Sequence, residues 1–152
     1  SGAIDTEPRF SPDGRYIYFT SDRGGSPQIY RMAPDGSGIT RITFEGDYNV
    51  TPRPSPNGRL LAYVSRRDGR FQIRVLDLTT AQEIAVSDTA NDESPSFSPN
   101  GRMLLYATQV GARNVLALAS TDGSFHARIP SASGGVNEPT WGPFMNAGGQ
   151  QP

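Results

Sequence analysis

Glu7, Glu93 and Glu138 stand one or two residues ahead of Pro8, Pro95 and Pro139, and Thr6, Thr51 and Ser94 are their polar neighbours. Carboxylates and hydroxyls so placed can receive a partner's loop or peptide by hydrogen bonds and charge; their plainer role is to cap strand ends in solvent. Little else in the chain offers chemistry. The absence of cysteine removes disulfides, thiolate metal sites and cysteine nucleophiles. His126 is the only histidine, and a structural or surface role is expected of it. The serines show no Gly-x-Ser-x-Gly elbow. Asp22, Asp47, Asp88 and Asp92 are scattered, and no Asp-x-Asp-x-Asp-Gly loop gathers oxygens for calcium. Arg66, Arg67, Asp68 and Arg70 could steer an acidic partner as a basic rim, but a solvated hairpin tip is the favoured reading. We therefore expect no catalytic residue, no metal and no cofactor.

The elements that must position these residues follow from a repeat. EPRFSPDGR, TPRPSPNGR, SPSFSPNGR and a shortened EPTWGPF share two prolines. The first prolines, Pro8, Pro52, Pro95 and Pro139, are separated by 44, 43 and 44 residues, and the second, Pro12, Pro56, Pro99 and Pro143, by the same steps. A period of this size marks stacked supersecondary units. Within a unit, Pro-Asp-Gly or Pro-Asn-Gly is turn chemistry, because proline presets φ and glycine accepts φ > 0. Runs rich in β-branched and aromatic residues follow as strands: Tyr16 to Thr20, Gln28 to Met32 and Ile39 to Thr43 in the first unit. The second uses Leu60 to Val64, Gln72 to Leu76 and Glu83 to Val86; the third uses Met103 to Ala107, Val115 to Leu118 and His126 to Ile129. Helical periodicity is absent, and the apolar runs suit strands buried on both faces.

Sheets fanned about an axis meet that need. The expected fold is all-β: a partial β-propeller of three four-stranded antiparallel blades plus one closing strand. A two-sheet sandwich competes but does not predict the repeat. The units span about 4–49, 50–93 and 94–138, with a closing strand at 139–144 and a flexible tail at 145–152. Tight turns are expected on one face and longer connections at 21–27, 44–51, 65–71, 87–94, 108–113 and 131–138 on the other. Ligands are read by loops on rigid sheets, so the second face, near the mouth of the central channel, is expected to bind partners. It carries Thr6, Glu7, Thr51, Glu93, Ser94 and Glu138. Tyr18, Tyr63 and Tyr106 are taken as equivalent fillers between blades. Trp141 corresponds to Phe10 and Phe97 and is assigned to the core. Arg15, Arg59 and Arg102 are expected to tie adjacent turns through carbonyls.

Composition bounds the partners. The chain has 152 residues, 35% hydrophobic and 19% charged, enough for a core. A net charge of −1 argues against nucleic acid, because no basic stripe faces the phosphates. No apolar run approaches the roughly 18 residues of a membrane-crossing helix.

The Ser-Pro-Asp/Asn-Gly-Arg turns after a Pro-x-aromatic strand resemble the repeats of the TolB propeller family. The likeness extends through Ile42-Thr43-Phe44-Glu45-Gly46, the run from Ala119 to Pro130 (ASTDGSFHARIP) and Glu138-Pro139-Thr140-Trp141. It covers about residues 4 to 144, and the STDGSFHARIP segment is its most specific part. The resemblance implies a periplasmic, non-enzymatic protein of the Tol–Pal system, built as an N-terminal α/β domain and a six-bladed propeller. It implies binding of the peptidoglycan-associated lipoprotein, other Tol proteins and colicin translocation peptides. This chain departs from that pattern, since only three blades and no α/β domain are present; we expect a fragment of a longer protein, with self-association through open blade faces left available. The turn alone also fits the propeller of a prolyl oligopeptidase-type peptidase or a polysaccharide lyase, which remains the alternative.

Overall fold

The computed structural model describes residues 5–130, and they form strands without helix. The first sheet holds β1 (Asp5–Phe10), β2 (Ile17–Ser21), β3 (Gln28–Met32) and β4 (Thr40–Arg41). The second holds β5 (Asn49–Pro54), β6 (Leu60–Arg67), β7 (Arg70–Asp77) and β8 (Glu83–Ala85). The third holds β9 (Glu93–Phe97), β10 (Met103–Val110), β11 (Arg113–Ser120) and β12 (His126–Pro130). Each sheet is antiparallel with its strands in chain order, and β5 lies against both β1 and β9. Three open four-stranded blades in sequence are a partial propeller. Glu138, Trp141, the 131–138 connection, the closing strand and the tail lie outside the described residues.

The repeated turn explains itself locally. Ser11 Oγ donates to Asp13 Oδ1 (2.6 Å) and accepts from the Tyr16 N–H (3.1 Å), while Asp13 Oδ1 also accepts from the Arg15 N–H (3.0 Å). Ser55 and Asn57 repeat this set, as do Ser98 and Asn100. Gly58 and Gly101 take φ near 74°, where a side chain is disfavoured. A Cβ there would sit 3.7 Å from Pro12 Cδ and 3.6 Å from Pro56 Cδ respectively, so each turn rests on the proline of the preceding one. Ser120, Asp122 and Gly123 build the same turn between β11 and β12.

Alternation along β6 and β7 sends successive residues to different neighbours. Leu61, Tyr63 and Leu76 pack with Tyr18 and Ile29 of the first blade. Ala62, Val64, Ile73 and Val75 pack with Leu104, Tyr106, Ala117 and Ala119 of the third. Burying each Leu, Ile or Val side chain in these seams contributes about 1.5–3 kcal/mol, so the middle blade is held from both sides.

Several expectations are corrected. Counting from the turn glycines, Phe19, and not Tyr18, occupies the place of Tyr63 and Tyr106. Tyr18 faces the next blade, whereas the other two tyrosines face the preceding one; a one-residue offset in a strand changes the face. Phe97 packs into a seam, but Phe10 is 63% exposed, because no described blade precedes the first. The connections at 65–71 and 108–113 are hairpin tips: the pairs Arg67↔Arg70 and Val110↔Arg113 leave only two residues to turn. Arg66 is exposed, as expected of a solvated tip, but Arg67 is drawn in. Arg66 stacks 4.9 Å from the Tyr48 ring centroid, and Arg67 reaches Glu83 at 2.9 Å. The side chains of Arg59 and Arg102 tie no turns; their backbone carbonyls accept from Leu78 and Thr121 instead.

Candidate functional site

Each innermost strand breaks its pairing at the same place. In β5 the partners run Asn49↔Ser65 and Val50↔Val64, then resume at Arg53↔Ala62, so Thr51 and Pro52 together face Tyr63. In β9, Ser94 and Pro95 face Tyr106, and in β1, Glu7 and Pro8 face Phe19. Two residues opposite one is a β-bulge. The sequence dictates it: proline cannot donate to the ladder and disfavours right-handed helical backbone in the residue before it. Thr51 and Ser94 accordingly take φ of 62° and 56°. Left-handed backbone is uncommon outside glycine and a real outlier for a β-branched residue. Such conformations cluster at functional sites.

The bulges bring the expected residues to equivalent points on adjacent innermost strands. Thr51 and Ser94 are half-buried, and the Thr51 N–H donates to Thr20 Oγ1 of the first blade at 3.2 Å. Glu93 is exposed, and among the described residues its carboxylate makes no hydrogen bond or ion pair. Its carboxylate is therefore available at the rim. Thr6 and Glu7 lie on the matching stretch of β1.

A buried polar clasp fixes the chain just ahead of the bulges in β5 and β9. Asn49 Nδ2 donates to Gln28 Oε1 and to the Glu45 carbonyl, both at 2.8 Å. Thr43 Oγ1 donates to the same Gln28 oxygen at 2.7 Å and accepts from the Ile29 N–H. One unit later, Asp92 accepts from Ser87 Oγ (2.5 Å), Thr108 Oγ1 (2.6 Å) and Thr89 Oγ1. Burial pushes the Asp92 carboxyl up, against the lowering effect of the three hydroxyls. Asp92 is thus a structural anchor and not one of a scattered set of surface acids. The sequence reading missed this layer, although Asp5, Asn49 and Asp92 all stand three residues before a unit's first proline.

His126 Nε2 donates to the Val86 carbonyl at 2.7 Å, tying β12 to the middle blade, which is a structural role. Among the described residues no group of three or more His, Asp or Glu side chains could hold a metal. The arrangement offers hydrogen bonds, a free carboxylate and a rigid rim. It suits recognition.

Residues 1–145 match the TolB beta propeller domain family. The Tol-Pal system protein TolB of Bordetella pertussis is 51% identical over 144 residues, covering 95% of this chain and 33% of that protein. The crystal structure of TolB from Acinetobacter baumannii superposes with a TM-score of 0.82 at 46% identity, covering 89% of this chain and 34% of that one. A puromycin-hydrolyzing peptidase of Mycobacterium tuberculosis reaches a TM-score of 0.74, over 86% of this chain and 22% of its own, at 17% identity; that likeness shows the fold alone. The chain spans about a third of the length of the TolB proteins it matches. With its repeated turns, its open four-stranded blades and a family match along nearly its whole length, the chain belongs to the TolB beta propeller domain family.

Proposed function

We propose that this chain is the recognition part of a Tol–Pal system protein, working in the periplasm of a Gram-negative cell envelope without chemistry on a substrate. Its partners are the peptidoglycan-associated lipoprotein, other Tol proteins and colicin translocation peptides. They dock on the channel-side face at Thr6, Glu7, Thr51, Glu93, Ser94 and Glu138. The observation that carries this reading is the left-handed backbone at Thr51 and Ser94, beside Glu93, whose carboxylate has no partner among the described residues. Strain repeated at equivalent points of two blades, each backed by a buried polar clasp, holds a rim in one shape before a partner arrives, and preorganisation favours binding. The name borne by the relatives supports the Tol–Pal assignment, whereas the peptidase alternative rests on fold likeness only.

Titrating purified peptidoglycan-associated lipoprotein into isotope-labelled protein tests this. Amide shifts should concentrate at 49–51 and 91–94. Shifts confined to the Ser-Pro-Asp/Asn-Gly turns would place the partner on the wrong face and overturn the proposal.

A further inference from the structure

The seam between the first two blades differs from the next seam at two equivalent positions. Tyr18 and Arg31 stand where the second unit has Ala62 and Val75. Ala62 and Val75 are closed into the core against the third blade. Tyr18, buried in the first seam, and Arg31 line a cleft of about 210 Å³ beside the first two Ser-Pro-Asp/Asn-Gly turns. The Arg31 guanidinium lies 4.2 Å from the Tyr16 ring centroid, and Arg31 pairs across the strands with Tyr18. Among the described residues no carboxylate lies within ion-pair distance of Arg31. The contrast with the other arginines of this seam is plain, since Arg67 and Arg74 both pair with Glu83, at 2.9 and 3.4 Å.

A guanidinium carries five N–H donors in a planar fork, and one ring contact leaves donors over. The fork matches a carboxylate in two parallel hydrogen bonds. Asp13, also on the cleft wall, is held ionised by the Ser11 hydroxyl and the Arg15 N–H, which opposes ligands of multiple negative charge. Pro12 and Leu78 supply apolar wall. We infer that this cleft is a binding site for a monocarboxylate with a short apolar tail, gripped by the Arg31 fork beside the Tyr18 hydroxyl. This goes beyond the channel-face reading and does not depend on it.

The test uses the 152-residue chain with labelled arginine side chains. N-acetyl-L-alanine should shift the Arg31 Nε–Hε resonance saturably, and N-acetyl-L-alaninamide, which lacks the charge, should not. Inorganic phosphate should bind more weakly than acetylalanine. Arg31→Gln should weaken acetylalanine at least about ten-fold, and Arg31→Lys, which keeps the charge but loses the fork, should weaken it too. Equal shifts with the amide, tighter binding of phosphate or wild-type affinity in Arg31→Gln would each overturn the inference. The amide and phosphate arms use unaltered protein, so they decide the matter even if a variant folds poorly.

Discussion

Replacing Thr51 with glycine should stabilise the protein while weakening its partner face. Left-handed backbone costs an L-residue about 1–2 kcal/mol, and branching at Cβ puts threonine toward the upper end. Thr51 bears this at φ 62°. Glycine removes the penalty but loses about 0.5–1 kcal/mol more backbone entropy on folding. With threonine near about 2 kcal/mol, the difference is about 1–1.5 kcal/mol in favour of Thr51→Gly. The N–H that donates to Thr20 Oγ1 at 3.2 Å survives the change, so the tie between blades is kept. For a chain of this length the gain amounts to about 2–6 °C in Tm. Urea unfolding should show a higher midpoint with an unchanged slope, and affinity for the peptidoglycan-associated lipoprotein should fall. Ser94→Gly, at φ 56° and without branching, should gain less. A Thr51→Gly protein that melts below the parent at unchanged slope would refute the strain argument, because the backbone would then need the side chain more than it resents it.

Other consequences are as direct. Leu61→Ala, at a fully buried point of the first seam, should cost about 2–5 kcal/mol in denaturant unfolding. Tyr63 donates to Glu83, so Tyr63→Phe should cost about 1–2 kcal/mol. The buried Tyr106 hydroxyl has no hydrogen-bond partner in good geometry, though Thr89 lies close enough to temper its pKa, which burial pushes up to about 12. Tyr106→Phe should accordingly be neutral or stabilising by the same measurement. Asp92, pushed up by burial from 3.8, favours folding most below that value and loses this contribution as pH rises through its folded pKa; Asp92→Asn should remove the slope in stability just above pH 3.8. Asp122 is lowered from 3.8 to about 2, by the Ser120 and then the Ser124 hydroxyl. Its contribution is present above 3.8 and lost as pH falls toward about 2, so Asp122→Ala should flatten that acid limb.

What was legible in the sequence was local. The Ser-Pro-Asp/Asn-Gly turn closes through atoms two to five residues apart, so its residues declare it. The strands were legible because each unit repeats the same run, but their ends were not. Asp68 and Gly69 both take φ > 0, which lets a two-residue turn close the second hairpin where a longer connection over 65–71 was expected. The tyrosines were misaligned because two neighbouring aromatics, Tyr18 and Phe19, offered two registers. At the site, Glu93 and the prolines could be found by repetition. The clasp could not, because Asn49 meets Gln28 across 21 residues and Thr108 meets Asp92 across 16. The left-handed backbone at Thr51 emerges only when proline and the pairing on both sides act together.

The alternation along β6 has a consequence for assembly. A blade shows one neighbour Leu61 and Tyr63 and the other Ala62 and Val64, so its two surfaces are not copies of each other. Units joined this way meet head to tail, a heterologous contact that propagates in one direction until rotation closes a ring or leaves an open filament. Two molecules of this protein meeting through blade faces would obey the same polarity. A dyad-related pair with Phe10 set against its own counterpart would match neither seam that the chain itself has built.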